Sequence, residues 1–269
     1  MVRYGRVVLG GTFDRLHVGH AALLRTAFRL GREVAIGVTS PRYLSAHPKP
    51  GATAITPLAI RRRALAAWLT RNYPRRPRRI VPIDDPYGGA ASDDFDALVV
   101  SADSLGGGAA VNRERARRGL PPVALVVVPT VLADDLEPVS SRRVRSGTID
   151  RWGRRRSPIT VGVAAEDRRD LPPAARAVRR AFPTGRVTKA LGRRPSPGPA
   201  ALRARRLARR ALAGRELGVG VVRGATGGWQ VALHGPMVAL DPRAVLGRTP
   251  VELEGGLYRM LRPRRSRTL

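Results

Sequence analysis

Short apolar runs alternate along the first half of the chain with stretches whose apolar residues fall three and four positions apart. Arg6–Leu9 (RVVL), Glu33–Val38 (EVAIGV), Ile80–Ile83, Ala97–Val100 and Val123–Val128 read as strands, because solid aliphatic runs suit a strand buried on both faces. Between the first two, His20–Leu30 places Leu23, Leu24, Ala27 and Phe28 at helical spacing. A second helix is predicted in ITPLAIRRRALAAWLTRNY, with Thr56 as N-cap and Pro57 at the first helical position. Proline there loses no needed N–H, and the threonine hydroxyl can accept from a free amide. Ala109–Arg118 is a further helix, stopped by Gly119, and Ser141–Ile149 a short one. This alternation predicts an α/β fold over residues 1–150, a Rossmann-like parallel sheet covered on both faces.

Arg151–Pro158 (RWGRRRSP) has no periodicity and reads as a linker. A second, smaller α/β domain is predicted over 159–261. It would hold a strand at Ile159–Val163 and a helix at Ala174–Phe182 led by Pro172 and Pro173. A basic helix follows at Pro199–Ala213, then a hairpin-rich sheet at Leu217–Val222, Trp229–Leu233 and Met237–Leu240. Residues 262–269 (RPRRSRTL) read as a disordered basic tail.

The chain has 269 residues and no cysteine, which excludes disulfides, thiolate metal sites and cysteine nucleophiles. No apolar run approaches a membrane span, and the start MVRYGRVVLGG lacks a signal peptide's pattern; a cytoplasmic protein is expected. Net charge is +30, with lysine only at 49 and 189. The surplus is +10 over residues 1–150 and +20 over 151–269. Arginine, alanine, glycine and proline are abundant together, as a GC-rich genome produces. Whatever its origin, such a field attracts nucleic acid non-specifically. Arg203, Arg205, Arg206, Arg209 and Arg210 cluster on the basic helix, as a solvated face or an RNA-binding one. Aromatics make up only 4% of the chain, so base stacking along a single strand is poorly supported.

Two of the four histidines fall in GGTFDRLHVGH, just after the first strand. Gly10 and Gly11 let the backbone approach a ligand where a parallel sheet opens its crevice. A helix starting near Gly19–His20 would point free N–H groups at an anion, and His17 and His20 stand at that mouth as donors to phosphate. Solvated loop histidines are the alternative. A metal site is weaker, since Asp14 stands alone without a third histidine or carboxylate at supporting spacing.

These residues resemble the HxGH signature of adenylyl- and cytidylyltransferases. DPYG (Asp85–Gly88), VVSADS (Val99–Ser104), NRERARRGL (Asn112–Leu120) and VSSRRVRSGTID (Val139–Asp150) narrow the likeness to phosphopantetheine adenylyltransferases of the archaeal and eukaryotic type, over residues 3–150. The resemblance implies adenylyl transfer from ATP, with Mg²⁺, to 4′-phosphopantetheine, yielding dephospho-coenzyme A and pyrophosphate. It implies catalytic roles for Thr12, His17 and His20. It also implies nucleotide contacts from Gly10, Gly11, Thr12, Phe13, His17, Gly19, His20, Asp103, Arg113, Ser140, Ser141, Arg143 and Arg145. The acceptor phosphate would meet Thr12 and Lys49, with His47 as a rival to the lysine. Arg113 and Arg117 lie four apart on one helix face and could reach phosphate, with a solvated surface as the alternative; Arg61 to Arg63 read mostly as surface charge, with one turned to substrate as the alternative. Two departures bear on nucleotide binding: Arg142 stands where the family has threonine, and Gly89–Ala90 follow the DPYG segment in place of Pro-Thr.

From Ile159 onward the segments AVRRAFP, ALRARRLARRAL and LGVGVVRGA are weakly similar to the inosine/xanthosine triphosphatase-like family. Leu171, Ala174 and Val222 stand near places where that family needs polar and acidic groups. This implies a degenerate relative used for packing, dimerisation or anion binding, with an unrelated fold as the alternative. An oligomer is compatible with the sequence. Rival readings for the whole chain are a nucleotidyltransferase of the same fold acting on nicotinamide mononucleotide, FMN or an alcohol phosphate, or a charge-driven nucleic-acid-binding protein.

Overall fold

The computed structural model describes residues 2–48, 52–183, 185–191, 197–225, 227–235 and 239–261. They form two compact units. The first comprises the described residues up to 131 and Val139–Trp152; the second holds Leu132–Pro138 and the described residues from Gly153 on. Residues 132–138, read above as part of the first domain, therefore pack with the second.

In the first unit, β1 (Tyr4–Gly11), β2 (Gly31–Thr39), β3 (Arg78–Ile83), β4 (Ala97–Ser101) and β5 (Ala124–Val128) form one parallel sheet in the order β3-β2-β1-β4-β5. Alternate residues of each strand face opposite ways. Val7 and Leu9 pack with Leu24, Phe28, Leu65 and Leu69, from α1 (Val18–Leu30) and α3 (Leu58–Asn72). Val8, Ala35, Leu98 and Val100 face the other way, toward Val111 of α4 (Leu105–Arg117). The connection from β3 to β4 crosses the sheet, so the strand order reverses between β1 and β4. Parallel sheets open their ligand crevice at the carboxyl side of such a switch, which is where GGTFDRLHVGH leaves β1.

The second unit has β6 (Thr160–Ala165), β7 (Arg186–Leu191), β8 (Leu217–Arg223), β9 (Trp229–His234) and β10 (Ala239–Val245), ordered β10-β9-β8-β6-β7. β6 is parallel to β7 and β8, while β8, β9 and β10 run antiparallel. One face packs Val161, Val163, Val219 and Trp229 with Val178, Leu253 and Leu257 from α6 (Leu171–Ala181) and α8 (Pro250–Leu261). The other face carries α7 (Ala200–Leu212) on a floor of glycines. A Cβ on Gly162, Gly218 or Gly220 would fall 1.9–2.1 Å from the carbonyl oxygens of Ala211, Ala208 and Ala204.

Several boundaries depart from the sequence reading. α1 starts at Val18 with His17 as N-cap, earlier than His20. Pro57, not Thr56, occupies the N-cap position of α3, because the Thr56 hydroxyl donates to Asp14 instead. α2 (Pro41–Ala46), β7 and α8 were not foreseen. The strand expected at Met237–Leu240 is Ala239–Val245; residues 237 and 238, like Lys49 and the tail 262–269, lie outside the described residues.

Candidate active site

β1 ends in Gly10–Gly11, and the chain then makes a tight loop before α1. Phe13 and Arg15 both take the left-handed backbone conformation, with φ of 51° and 47°, which is unfavourable for residues with a Cβ. Packing holds it in place: the Phe13 ring is buried among the core side chains of β1 and α1. Asp14, between these two residues, is fully buried. Its carboxylate accepts from the Thr56 amide (3.2 Å) and hydroxyl (2.6 Å) and pairs with Arg145. Its carbonyl accepts from the Ser141 hydroxyl. Burial pushes the Asp14 carboxyl up, but the bonds from Thr56 and Arg145 outweigh it and leave the group below its ordinary value.

Arg61 is only 2% exposed. Its guanidinium donates to the carbonyls of Thr56 (2.7 Å), Thr12 (2.6 Å) and Thr39 (2.8 Å). It thus fastens the carboxyl ends of β1 and β2 to the start of α3, and Thr39 Oγ1 stands 3.2 Å from Thr12 Oγ1. Arg61, Thr39 and Asp14 were not singled out as site residues from sequence. A signal existed for Arg61, which lies on the same α3 face as Leu65, Trp68 and Leu69, the helix's other buried residues.

The two histidines form a stacked pair, ring centroids 3.9 Å apart, with Phe13 5.1 Å from His20. His17 Nδ1 accepts from the Gly19 amide at 3.1 Å, which leaves the ring proton on Nε2 in the neutral form. A Cβ at Gly19 would approach the His17 ring to 3.0 Å, so glycine keeps this first turn open. Burial pushes His17 down to about 4, against the opposite pull of Asp14. Burial also takes His20 well below its ordinary value, reinforced by the neighbouring His17. Both rings are therefore neutral at pH 7 and act as N–H donors rather than cations.

The depressed pKa of His17 has a consequence for stability. An unfolded histidine begins to take up a proton near 6.5, whereas the folded His17 resists until about 4. Unfolding therefore binds protons in that window, and stability falls as pH drops from about 6.5 towards 4. Urea unfolding at pH 8, 6 and 5 should show this decline in the first unit. His17→Asn, which keeps an N-cap acceptor, should flatten the part of the slope due to His17; an unchanged slope would contradict the assignment.

α5 (Ser141–Arg145) begins beside this loop with Ser140 as N-cap, whose hydroxyl accepts from the Arg143 amide at 3.4 Å. Ser141 and Arg145 reach Asp14 directly. Val139 lies near Gly19, and the Arg151 carbonyl accepts the Val18 amide at 3.0 Å. Thr12, His17, His20, Ser140, Ser141 and Arg145 are thereby drawn to one end of the sheet. Arg145 is engaged with a buried carboxylate, so its first task is positional.

On the other side of Thr12 opens a cavity of about 620 Å³. Val8, Ala35, Leu98 and Val100 form its floor, Gly107, Gly108 and Val111 one wall, and Ile83, Tyr87 and Phe95 another; Gly10, Gly11, Thr12, Thr39 and Asp103 stand at its polar part. Its rim carries the DPYG turn. Asp85 Oδ1 accepts from the amides of Tyr87 and Gly88, both at 2.7 Å. Gly88 has φ +51°, where a Cβ would fall 2.3 Å from Ile83 Cγ2. Arg113 is exposed on α4 and does not line the cavity, so the structure does not bring it to the site. The neighbouring Arg115 is buried and donates to the carbonyls of Ala90, Asp93 and Pro121; its role is structural.

In the second unit the acids that follow β6 are engaged. Glu166 lies 3.5 Å from Arg203, Asp167 2.8 Å from Arg169 and Asp170 2.7 Å from Arg223.

A reversed strand order with a glycine–threonine–histidine loop at the switch point describes a nucleotidyltransferase. The chain belongs to the cytidylyltransferase-like family, which matches residues 8–147, and within it to the phosphopantetheine adenylyltransferases. It is 40% identical over 151 residues to the phosphopantetheine adenylyltransferase of Methanopyrus kandleri, covering 56% of this chain and 94% of that one. Identity is also 40%, over 154 residues, to that of Pyrococcus abyssi, covering 57% and 96%. The bifunctional phosphopantetheine adenylyltransferase/NTP phosphatase of Thermoplasma acidophilum is 37% identical over 183 residues, 68% of this chain and 54% of that protein. The chain thus spans about half the length of the Thermoplasma relatives it matches. Among the described residues, no helix is long and apolar enough to cross a membrane.

Proposed function

We propose that the first unit transfers the adenylyl group of ATP to the phosphate of 4′-phosphopantetheine. An acceptor phosphate oxygen attacks the α-phosphorus in line, the bond from α-phosphorus to the bridging oxygen breaks, and pyrophosphate leaves with that electron pair. No covalent enzyme intermediate is needed, so the protein's task is positioning and charge stabilisation. Thr12 supports this reading above all other residues. It lines the apolar cavity, while the next residue, Phe13, packs on His20. The pantetheine arm fills the cavity, its phosphate rests at Thr12, and the triphosphate lies over the mouth of α1. There the neutral imidazoles of His17 and His20 donate to oxygens that gain charge during transfer. Gly10, Gly11 and Gly19 allow close approach, and Ser140, Ser141 and Arg143 flank the phosphates.

Among the described residues no three His, Cys, Asp or Glu side chains stand together as a metal site. Mg²⁺ is proposed to arrive with the ATP phosphates. A cytoplasmic location is proposed with this activity. The second unit is proposed to be inactive as an NTP phosphatase, because the carboxylates that follow β6 are already paired with arginines.

The test incubates the protein with ATP, Mg²⁺ and a panel of phosphorylated acceptors and follows pyrophosphate. Release with 4′-phosphopantetheine is expected. Release only with nicotinamide mononucleotide, FMN or an alcohol phosphate would move the substrate, and none at all would remove the activity. Inosine and xanthosine triphosphates in the same assay should yield no hydrolysis.

A further inference from the structure

Arg61 is a buried cation without a carboxylate of its own. Its guanidinium donates to the carbonyls of Thr56, Thr12 and Thr39, and among the described residues no carboxylate stands within ion-pair distance of it. Asp14 acts on it electrostatically but is already paired with Arg145. Arginine is almost never fully buried unless it is paired with an opposite charge. A carbonyl offers a dipole and no charge, so the cost of taking this guanidinium out of water is offset only in part.

Two of the three carbonyls belong to the polar end of the acceptor cavity. Thr12 and Thr39 both line it, and Arg61 does not. The Thr39 hydroxyl donates to the Thr12 hydroxyl at 3.2 Å, so both backbones and both hydroxyls of the pair are fixed from behind. The charge of Arg61 thus stands hidden from water, with two threonines between it and the cavity. We propose that Arg61 is a positioning residue for the acceptor: through Thr12 and Thr39 its charge draws a phosphate monoester dianion to the end of the cavity. The same cavity then separates a phosphorylated arm from the corresponding alcohol. This rests on the adenylyl-transfer reading, which seats the acceptor phosphate at Thr12. A phosphate monoester loses its second proton near pH 6. A fixed cation behind the site favours the dianion, which is the better nucleophile toward the α-phosphorus of ATP.

Calorimetry with 4′-phosphopantetheine and with pantetheine, without ATP, separates this role from simple clamping. Arg61→Gln should bind phosphopantetheine about 10–100-fold more weakly, the range of one charge acting over several ångströms at an effective dielectric of about 20. It should bind pantetheine as the wild type does, whereas loss of a mere clamp would loosen the cavity for both. Arg61→Lys keeps the charge without the planar fork and should retain most of the preference for the phosphorylated ligand. In steady state KM for phosphopantetheine should rise in Arg61→Gln far more than kcat falls. Phosphorus-31 titration of phosphopantetheine bound to the wild type should show its second pKa below that of the free ligand. That titration needs no variant, so it decides even if Arg61→Gln fails to fold. Equal losses for the two ligands, undiminished phosphopantetheine binding by Arg61→Gln, or an unshifted phosphate would each overturn the proposal, and pyrophosphate release by the wild type would then keep the enzyme. A wild type that neither binds phosphopantetheine nor transfers to it would refute both.

Discussion

Replacing His20 by alanine is expected to lower kcat for adenylyl transfer by about 10²–10³-fold, the loss typical of one preorganised donor to developing charge. KM for ATP should change much less. The His20 ring is fixed between His17 and Phe13, so no reorganisation is needed as charge moves onto the phosphate oxygens. Its neutrality at pH 7 follows from burial, and a neutral donor stabilises the transition state without holding pyrophosphate too firmly. Single-turnover measurement of pyrophosphate release isolates the chemical step, and circular dichroism with the thermal midpoint checks the fold. A variant that keeps more than a tenth of the wild-type rate would remove His20 from the reacting centre. His17→Ala should be less clean, since it also deletes the N-cap acceptor used by Gly19, worth about 1 kcal/mol.

The sheet and the histidine loop were legible because each carries a short-range signal. Solid aliphatic runs mark β1, β2, β4 and β5, and two glycines before a polar loop mark the switch point. The helix α2 carried a readable start, Ser40 followed by Pro41, whose hydroxyl accepts from the Tyr43 amide, but its six residues bury nothing and leave no periodic trace. α8 also had a start signal, Thr249 with Glu252: the carboxylate accepts from the amides of Arg248 and Thr249, and the threonine hydroxyl from the Glu252 amide. Gly255 and Gly256 masked it. Gly256 is there because a Cβ would fall 2.3 Å from Val245 Cγ1, a constraint set by a strand close by in sequence but unreadable without the packing. Arg61 and Asp14 were hidden for a related reason. Charged residues are read as solvated unless their partners are known, and these partners lie 42–131 positions away or are backbone carbonyls.

Asp14→Asn is the sharpest test of that buried network. The substitution keeps the shape and an oxygen for Thr56 but removes the fully buried carboxylate that pairs with Arg145, and the charge that opposes the desolvation of Arg61. Breaking a buried pair from one side is strongly destabilising, so the first unit should lose about 3–5 kcal/mol. With its pKa below the ordinary value, Asp14 contributes stability that is complete above about pH 5 and is lost as pH falls through the folded pKa. The gap between wild type and variant should therefore be constant from about pH 5 to 9 and close in stronger acid. His17 behaves differently, since its contribution changes between about 6.5 and 4. Urea unfolding followed through buried Trp68, which sits in the first unit, reads the effect, and Trp229 in the second unit should report no change. Pairing the variant with Arg145→Gln should cost less than the two single losses added together, because the two side chains share one interaction that either change already removes. Additive losses would mean that Asp14 and Arg145 act independently, and the loop after β1 would then need another anchor to α5.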